Sequence, residues 1–319
     1  AMEVSSHALD QRRIEGCHFD VALFTNLTRD HLDYHKTLEA YADAKLRLFA
    51  EVLGQSSKGR GAVINGDDPQ AARIARVCPR PVLQFSLDRN TDLSVVSSSV
   101  SLDGIEADIT TPWGPMSLHS PLLGRHNLAN ILAAIGACGM AGLPLREAVR
   151  GICELACIPG RMERVRGSRR VNVFVDYSHT PKALENALRV LRPLAGNGRI
   201  RVVMGAGGDR DRGKRPLMGQ TAVQFADAVF VTSDNPRTED PMAIIGQIME
   251  GARAASDARA HGSVCVEADR RTAIKAAIRE AQDGDVVLIA GKGHEDYQII
   301  GTTRIHFSDV EVAKEMLNP

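Results

Sequence analysis

Three residues spread over the first part of the chain, Glu3, His31 and Lys45, are of types that serve metal-assisted chemistry. A carboxylate and an imidazole near strand ends can hold a hard divalent cation such as Mg2+, with water completing its shell. Lys45 lies in the string LEAYADAKLRLF, and periodicity alone reads it as a solvated helix lysine. A lysine whose amine is kept neutral inside a site can instead add CO2. The carbamate so formed is an anion that can bridge to a metal. The spacing does not decide between these readings.

Three further strings carry charge where a ligand could meet it. The loop Gly208-Asp209-Arg210-Asp211-Arg212-Gly213-Lys214-Arg215 imitates the phosphate-binding pattern G-x-x-x-x-G-K-[ST]. Arg215 stands where a Ser or Thr hydroxyl would ligate Mg2+, and four charged side chains fit poorly with backbone amides wrapping a phosphate. The loop is therefore read as a strand-end loop that presents Arg210 to a carboxylate or phosphate. No true G-x-x-x-x-G-K-[ST] string occurs in the chain. In Asp234-Asn235-Pro236-Arg237, Pro236 stiffens the turn and Arg237 offers a planar fork suited to a carboxylate. A rigid surface turn would have the same composition. In Gly291-Lys292-Gly293-His294-Glu295 the glycines let a ligand approach the backbone, and Glu295 can accept hydrogen bonds from an ammonium.

The elements that must position these groups fall into two textures. Residues 19–27 (FDVALFTNL) and 62–65 read as strands, and 38–53 as a helix with Leu38, Tyr41, Lys45, Leu48 and Phe49 near one face. Residues 83–120 show short alternating runs broken by Gly and Pro, which predicts small antiparallel strands. A small-residue helix follows over 127–141. The second half alternates more cleanly. Strands are predicted at 171–177 (VNVFVDY), 199–205 (RIRVVMG), 227–233 (DAVFVTS) and 285–291 (DVVLIAG). Between them, Thr180-Pro181 opens one helix, and Asp269 caps another that Gly284 closes. Continuous apolar strands alternating with helices predict an α/β fold, a mostly parallel sheet with helices on both faces. Ligands of such sheets sit beyond the carboxyl ends of the strands. All three charged strings, and the 177–179 loop, lie there.

Composition narrows the partners. At 319 residues the chain has room for two domains. Lys+Arg and Asp+Glu balance at 39 each, so no overall field favours nucleic acid or an anionic membrane. No apolar run approaches a membrane span. The six cysteines are scattered without zinc-ligand spacing, as expected of a cytoplasmic protein in a reducing compartment. The opening Ala1-Met2-Glu3-Val4-Ser5-Ser6 reads as the interior of a domain.

Taken in order, the strings EVSSHAL (3–9), NLTRDHLDYH (26–35), AKLRLF (44–49), GRHNLANILAA (124–134), GRME (160–163), DYSHTP (176–181), GGDRDRGKRP (207–216), DNPRTEDP (234–241) and GKGHEDYQ (291–298) resemble the UDP-N-acetylmuramoyl-tripeptide synthetases. These are the Mur ligases that add the third stem-peptide residue during peptidoglycan synthesis. The resemblance implies that residues 1–159 are the latter part of a central ATP-binding domain. Residues 160–319 would be a Rossmann-like C-terminal domain that binds an amino acid. The UDP-binding domain and the P-loop lie upstream in intact members, so the isolated chain is expected to be inactive.

The resemblance also implies roles. Glu3 and His31 would ligate Mg2+, and Lys45 would be the carbamylated lysine. Ser5, Gln11 and Arg13, with Lys45, would contact UDP-N-acetylmuramoyl-L-Ala-D-Glu. Asn127, Arg161 and Asp176 would meet ATP. Arg210, Asp234, Asn235, Pro236, Arg237, Gly291 and Glu295 would hold meso-diaminopimelate. ATP would convert the D-Glu carboxylate to an acyl phosphate, which the incoming amine attacks. Domain closure about a hinge near residue 159 would bring the arginine rim to face the metal-binding residues across a cleft. The resemblance implies a monomer that enters no membrane and binds no nucleic acid. Three alternatives stand beside this one: a lysine-adding Mur ligase, a folylpolyglutamate synthase, and a non-catalytic module that binds an amino acid.

Overall fold

The computed structural model describes residues 1–28, 30–256 and 263–318; Arg29, within the NLTRDHLDYH string, lies outside them. The chain divides into two compact units, Ala1–Ala156 and Cys157–Pro319.

The first unit is built on a six-stranded sheet in sequential order: β1 (Val21–Phe24), β2 (Gly61–Asn65), β3 (Val82–Ser86), β4 (Leu93–Ser101), β5 (Gly104–Thr110) and β6 (Met116–Ser120). Strands β1 to β4 pair in parallel, while β4, β5 and β6 form an antiparallel meander. The antiparallel expectation for residues 83–120 thus holds for β4 to β6 and is corrected for β3. The helix Ala71–Val77 carries the chain back to the starting edge between β2 and β3, and such a crossover makes the two strands parallel. The helix expected over 38–53 is regular only across Leu38–Arg47. It widens into a π-turn at Leu48–Val52 and resumes to Gln55. Its apolar side, through Leu46, Phe49 and Leu53, packs with Phe24, Ile64 and Ile74 into one core.

In the second unit the sheet contains β7 (Glu163–Val165), β8 (Asn172–Asp176), β9 (Ile200–Met204), β10 (Ala228–Val231), β11 (Ser263–Val266) and β12 (Val286–Ala290). Their spatial order is β11-β10-β9-β12-β8-β7, with β7 alone antiparallel to its neighbour. Strands β9, β10 and β12 are buried throughout, which is why they read as unbroken apolar runs. Helices Arg270–Arg279 and Asp309–Leu317 cover one face, with Ile274, Ile278, Val312 and Leu317 packed on Val173, Val203, Phe230 and Ile289. Helices Pro181–Ala195, Lys214–Phe225 and Pro241–Ser256 belong to the other face. A hairpin, β13 (Tyr297–Ile300) and β14 (Thr303–His306), follows β12.

The cross-strand register sets the site. Ala290 pairs with Asp176, Ile289 with Val203, and Val231 with Met204. The carboxyl ends of β8, β12, β9 and β10 therefore stand in line, and the loops that follow them share one edge of the sheet. Because β12 enters between β8 and β9, strand order reverses there, the place where open α/β sheets part their loops.

Candidate functional site

In the first unit Glu3 and His31 gather along the helix Leu38–Arg47, near its Tyr41 and Lys45. Thr37 caps that helix by accepting from the Ala40 amide at 3.1 Å. Tyr41 is buried, with the Lys45 ammonium 5.3 Å from its ring centre and the His31 ring at 5.8 Å. Burial lowers the Lys45 pKa from the usual lysine range, while Glu3 and Asp30 oppose this by attraction. Burial, with Asp30 adding to it, pushes the Tyr41 phenol up to about 12. His31 adopts a left-handed backbone (φ 56°), and its Nε2 lies 3.8 Å from Asp30 Oδ2. Glu3, Asp30, His31, Tyr41 and Lys45 thus share one electrostatic environment.

Aromatic packing fixes the neighbours. The His7 ring lies 5.0 Å from His31, 4.3 Å from Tyr34 and 5.5 Å from His35. Buried His35 Nε2 is 2.9 Å from Ser6 Oγ. Ser5 caps the helix Ser6–Asp10 by accepting from the Ala8 amide at 3.1 Å. Gln11 donates to Tyr34 Oη at 3.2 Å and accepts from Arg13 at 2.9 Å. Ser5, Gln11 and Arg13 are exposed. Asn127 is placed elsewhere in this unit: it is buried in the first turn of the helix Arg125–Met140, its amide donating to the Leu123 carbonyl at 2.8 Å. Asp30 and the histidine cluster were not singled out in the sequence, and Tyr41 only as a neighbour of Lys45 on one helix face, since only the fold brings His7 and His35 together.

The second unit presents its rim at the ends of β8, β9, β10 and β12. Asp176 ends β8, and its carboxylate accepts from the Met162 amide at 2.8 Å and from Ser178 Oγ. It therefore ties the 160–163 turn to the strand. Arg161 is exposed, its guanidinium 5.2 Å from the Tyr177 ring centre. Burial raises the Tyr177 pKa above the ordinary tyrosine range, and Glu295 and Asp234 raise it further. Tyr177 also meets His179 and His294, at 4.6 and 5.5 Å between ring centres.

Two loops of the rim are stapled together. Arg215, fully buried, donates to both carboxylate oxygens of Glu239 at 3.0 and 2.8 Å and to the Gly207 carbonyl at 3.1 Å. Glu239 also accepts from the Asp209 amide at 2.6 Å. These hydrogen bonds, that from Arg215 foremost, bring its pKa down to about 2. Asp209 accepts from Thr238 Oγ1 at 2.8 Å. Asp209 and Arg237 both hold a left-handed backbone with φ 52°, a conformation costing a residue with a side chain about 1–3 kcal/mol. The surroundings hold Arg237 there: its amide donates to Ile299 at 3.1 Å, its carbonyl accepts from Gly301 at 2.7 Å, and its Nη1 donates to the Gly208 carbonyl at 2.7 Å. Its other guanidinium nitrogens make no hydrogen bond among the described residues. Arg210 is exposed on the neighbouring loop.

Around β12 the rim turns acidic. Asp234 is nearly buried, and Gly291 (φ 119°) lies so close that a Cβ there would stand 2.6 Å from Asp234 Oδ2. Pro236 and Asn235 are buried too. Asn235 Nδ2 donates to Glu295 Oε2 at 2.8 Å. Behind them Arg270, fully buried, pairs with Asp309 at 2.7 Å and donates to the Ala290 carbonyl at 3.0 Å. The structure thus brings Arg210, Asp234, Asn235, Pro236, Arg237, Gly291 and Glu295 to one edge. The sequence placed Tyr177 and Lys292 in strand-end loops without revealing their contacts, and it did not reveal Arg215, Glu239 or Arg270 as builders of that edge. For Arg215 a signal existed: a charged residue replaces the hydroxyl in a loop that cannot wrap a phosphate.

The comparisons agree with this architecture. The family described as Mur ligase middle domain matches residues 1–138, and that described as Mur ligase, glutamate ligase domain matches residues 160–293. A Geobacter metallireducens protein named UDP-N-acetylmuramoyl-L-alanyl-D-glutamate–2,6-diaminopimelate ligase is 51% identical over 97% of this chain and 63% of its own length. A Synechococcus elongatus protein of the same name is 51% identical over 98% of this chain and 61% of its own. A solved structure of a ligase so named superposes with a TM-score of 0.64 at 42% identity, covering 99% of this chain and 63% of that one. The chain thus spans less than two thirds of the length of these relatives. With its two units matching successive domains of one enzyme family in order, the chain belongs to the Mur ligases.

Proposed function

We propose that the protein acts in an ATP-dependent ligation that joins meso-diaminopimelate to UDP-N-acetylmuramoyl-L-Ala-D-Glu in peptidoglycan synthesis. The observation that carries this reading is the charge pattern of the second unit's rim. Arg237 is held in a costly backbone conformation with guanidinium nitrogens open, while Asp234 stands beside Gly291 and Glu295 is held by Asn235. Such a rim suits a ligand with a carboxylate for the arginine fork and an ammonium for the acidic side. Diaminopimelate carries an amino-acid group at each end. Lysine lacks the distal carboxylate, and its terminal ammonium would meet Arg237 and Arg210 unfavourably. The names of the two relatives at 51% identity support the same choice.

A carboxylate is a poor electrophile, so ligation needs its conversion to an acyl phosphate by ATP. The amine then attacks, and phosphate leaves. The chain's own residues serve by orienting and neutralising groups. Asn127, Arg161 and Asp176 are proposed on the ATP side, and Ser5, Gln11, Arg13 and Lys45 on the UDP-linked substrate. Among the described residues no three His, Cys, Asp or Glu side chains form a metal cage. Mg2+ does not require one, because it keeps waters and phosphate oxygens and takes few protein ligands. Glu3 and His31, with Lys45 as a carbamate, would hold it. When bound it screens repulsion between the carboxylate and the ATP γ-phosphate. Desolvation of Lys45 favours the neutral amine that CO2 addition requires.

The test is amino-acid-dependent phosphate release by the complete product of the gene encoding this chain. Release with meso-diaminopimelate and the UDP-linked dipeptide is expected. Arg237→Ala should raise the KM for diaminopimelate by about tenfold or more, leaving those for ATP and the dipeptide nearly unchanged. Release driven by lysine instead, or an unaltered diaminopimelate KM in the variant, would overturn the assignment.

A further inference from the structure

One buried lysine of the rim holds a ligand-facing group without being exposed to a ligand itself. Lys292 follows Gly291 at the end of β12, and its side chain is fully buried. Its Nζ donates to Asn235 Oδ1 and to Glu295 Oε2, both at 3.1 Å, and lies 5.4 Å from the Tyr297 ring centre. The Ile299 amide donates to the same Asn235 Oδ1 at 3.0 Å. An amide oxygen has two lone pairs, so these two donors occupy it fully. A flipped Asn235 would set its NH2 against two donors. The amide is therefore locked, and its Nδ2 is aimed at Glu295 Oε2.

Every donor to Glu295 reaches that one oxygen. Oε1 makes no hydrogen bond among the described residues, although the side chain is only 16% exposed. The nearly buried Asp234 carboxylate likewise makes none there, and the Asp234 main-chain carbonyl is held by Gln298 at 2.7 Å. Both carboxylates act electrostatically on the Tyr177 phenol, so they share one neighbourhood. Partly desolvated carboxylate oxygens with open lone pairs call for a cationic donor.

We propose that Lys292 is a positioning residue: through Asn235 Oδ1 and Glu295 Oε2 it turns Glu295 Oε1 toward an ammonium of the incoming amino acid. This rests on the reading of the rim as an amino-acid site. A lysine buried only to satisfy the fold would pair with Glu295 without regard to which oxygen stays open.

The test is calorimetric binding of meso-diaminopimelate to this chain, in wild type, Lys292→Met, Glu295→Gln and the double variant, with melting temperatures recorded alongside. Lys292→Met should weaken binding about tenfold. Added to Glu295→Gln it should weaken binding by less than about twofold further, because both act on one contact. Wild-type affinity in Lys292→Met, or effects that multiply in the double variant, would overturn the proposal. Absence of binding by wild type would overturn the amino-acid reading beneath it. A measurement free of folding effects is the 15N resonance of the Lys292 ammonium in wild type. It should shift on adding diaminopimelate, and an unmoved signal at saturation overturns the proposal.

Discussion

Glu239 governs the shape of the rim without facing its open side. It gathers Arg215, Arg212 and the Asp209 amide, and thereby joins the loop after β9 to the loop after β10. Its folded pKa of about 2 lies below the ordinary 4.5. A depressed carboxylate stabilises the fold fully above the unfolded value and loses that contribution as pH falls through the folded value. Glu239→Gln should therefore melt below wild type at neutral pH, and the gap should narrow as pH drops from about 4.5 towards 2. Melting curves between pH 7 and pH 3 check this; a gap that stays constant would show that the charge is not what matters. Individual residues of this kind were poorly legible in the sequence. Arg210, Asp234, Arg237 and Glu295 stood out because strand ends are where ligands bind. Arg215 and Arg270 did not, because a buried charge is explained only by its partner. Those partners, Glu239 and Asp309, lie 24 and 39 residues away.

At the scale of elements, the helices behind the rim are set by glycines. In Lys214–Phe225 and Pro241–Ser256, a Cβ on Gly219 would stand 2.0 Å from the Ile248 carbonyl oxygen, and one on Gly251 would stand 1.8 Å from that of Pro216. The helices touch backbone to backbone, so Gly251→Ala must push them apart. Such overpacking costs about 1–3 kcal/mol. Gly246, in the same helix, has nothing within 4 Å of its Cβ position. Gly246→Ala should instead stabilise by up to about 1 kcal/mol through helix propensity alone. Chemical unfolding of the two variants should move in opposite directions, and a shared direction would contradict the packing described. The strands of the second unit were legible as apolar runs because they are buried on both faces. The parallel pairing of β3 was not, since strand direction follows from the crossover rather than from local alternation. Nor did periodicity show the π-turn at Leu48–Val52, where the apolar stripe continues although the hydrogen bonding changes.

At the scale of the whole molecule, the chain is two units with separate cores. The first gathers Glu3, Asp30, His31 and Lys45, and the second a rim of mixed charge. The texture of the sequence already marked two halves, because a mixed sheet with a meander and a nearly all-parallel sheet differ in strand patterning. The second unit's rim is proposed to accept an amino acid bearing a second carboxylate. Titration calorimetry of this chain with meso-diaminopimelate and, in parallel, with L-lysine tests it most directly. Diaminopimelate should bind at least about tenfold more tightly than lysine, since only it satisfies Arg237. Equal affinities, or tighter binding of lysine, would contradict the account.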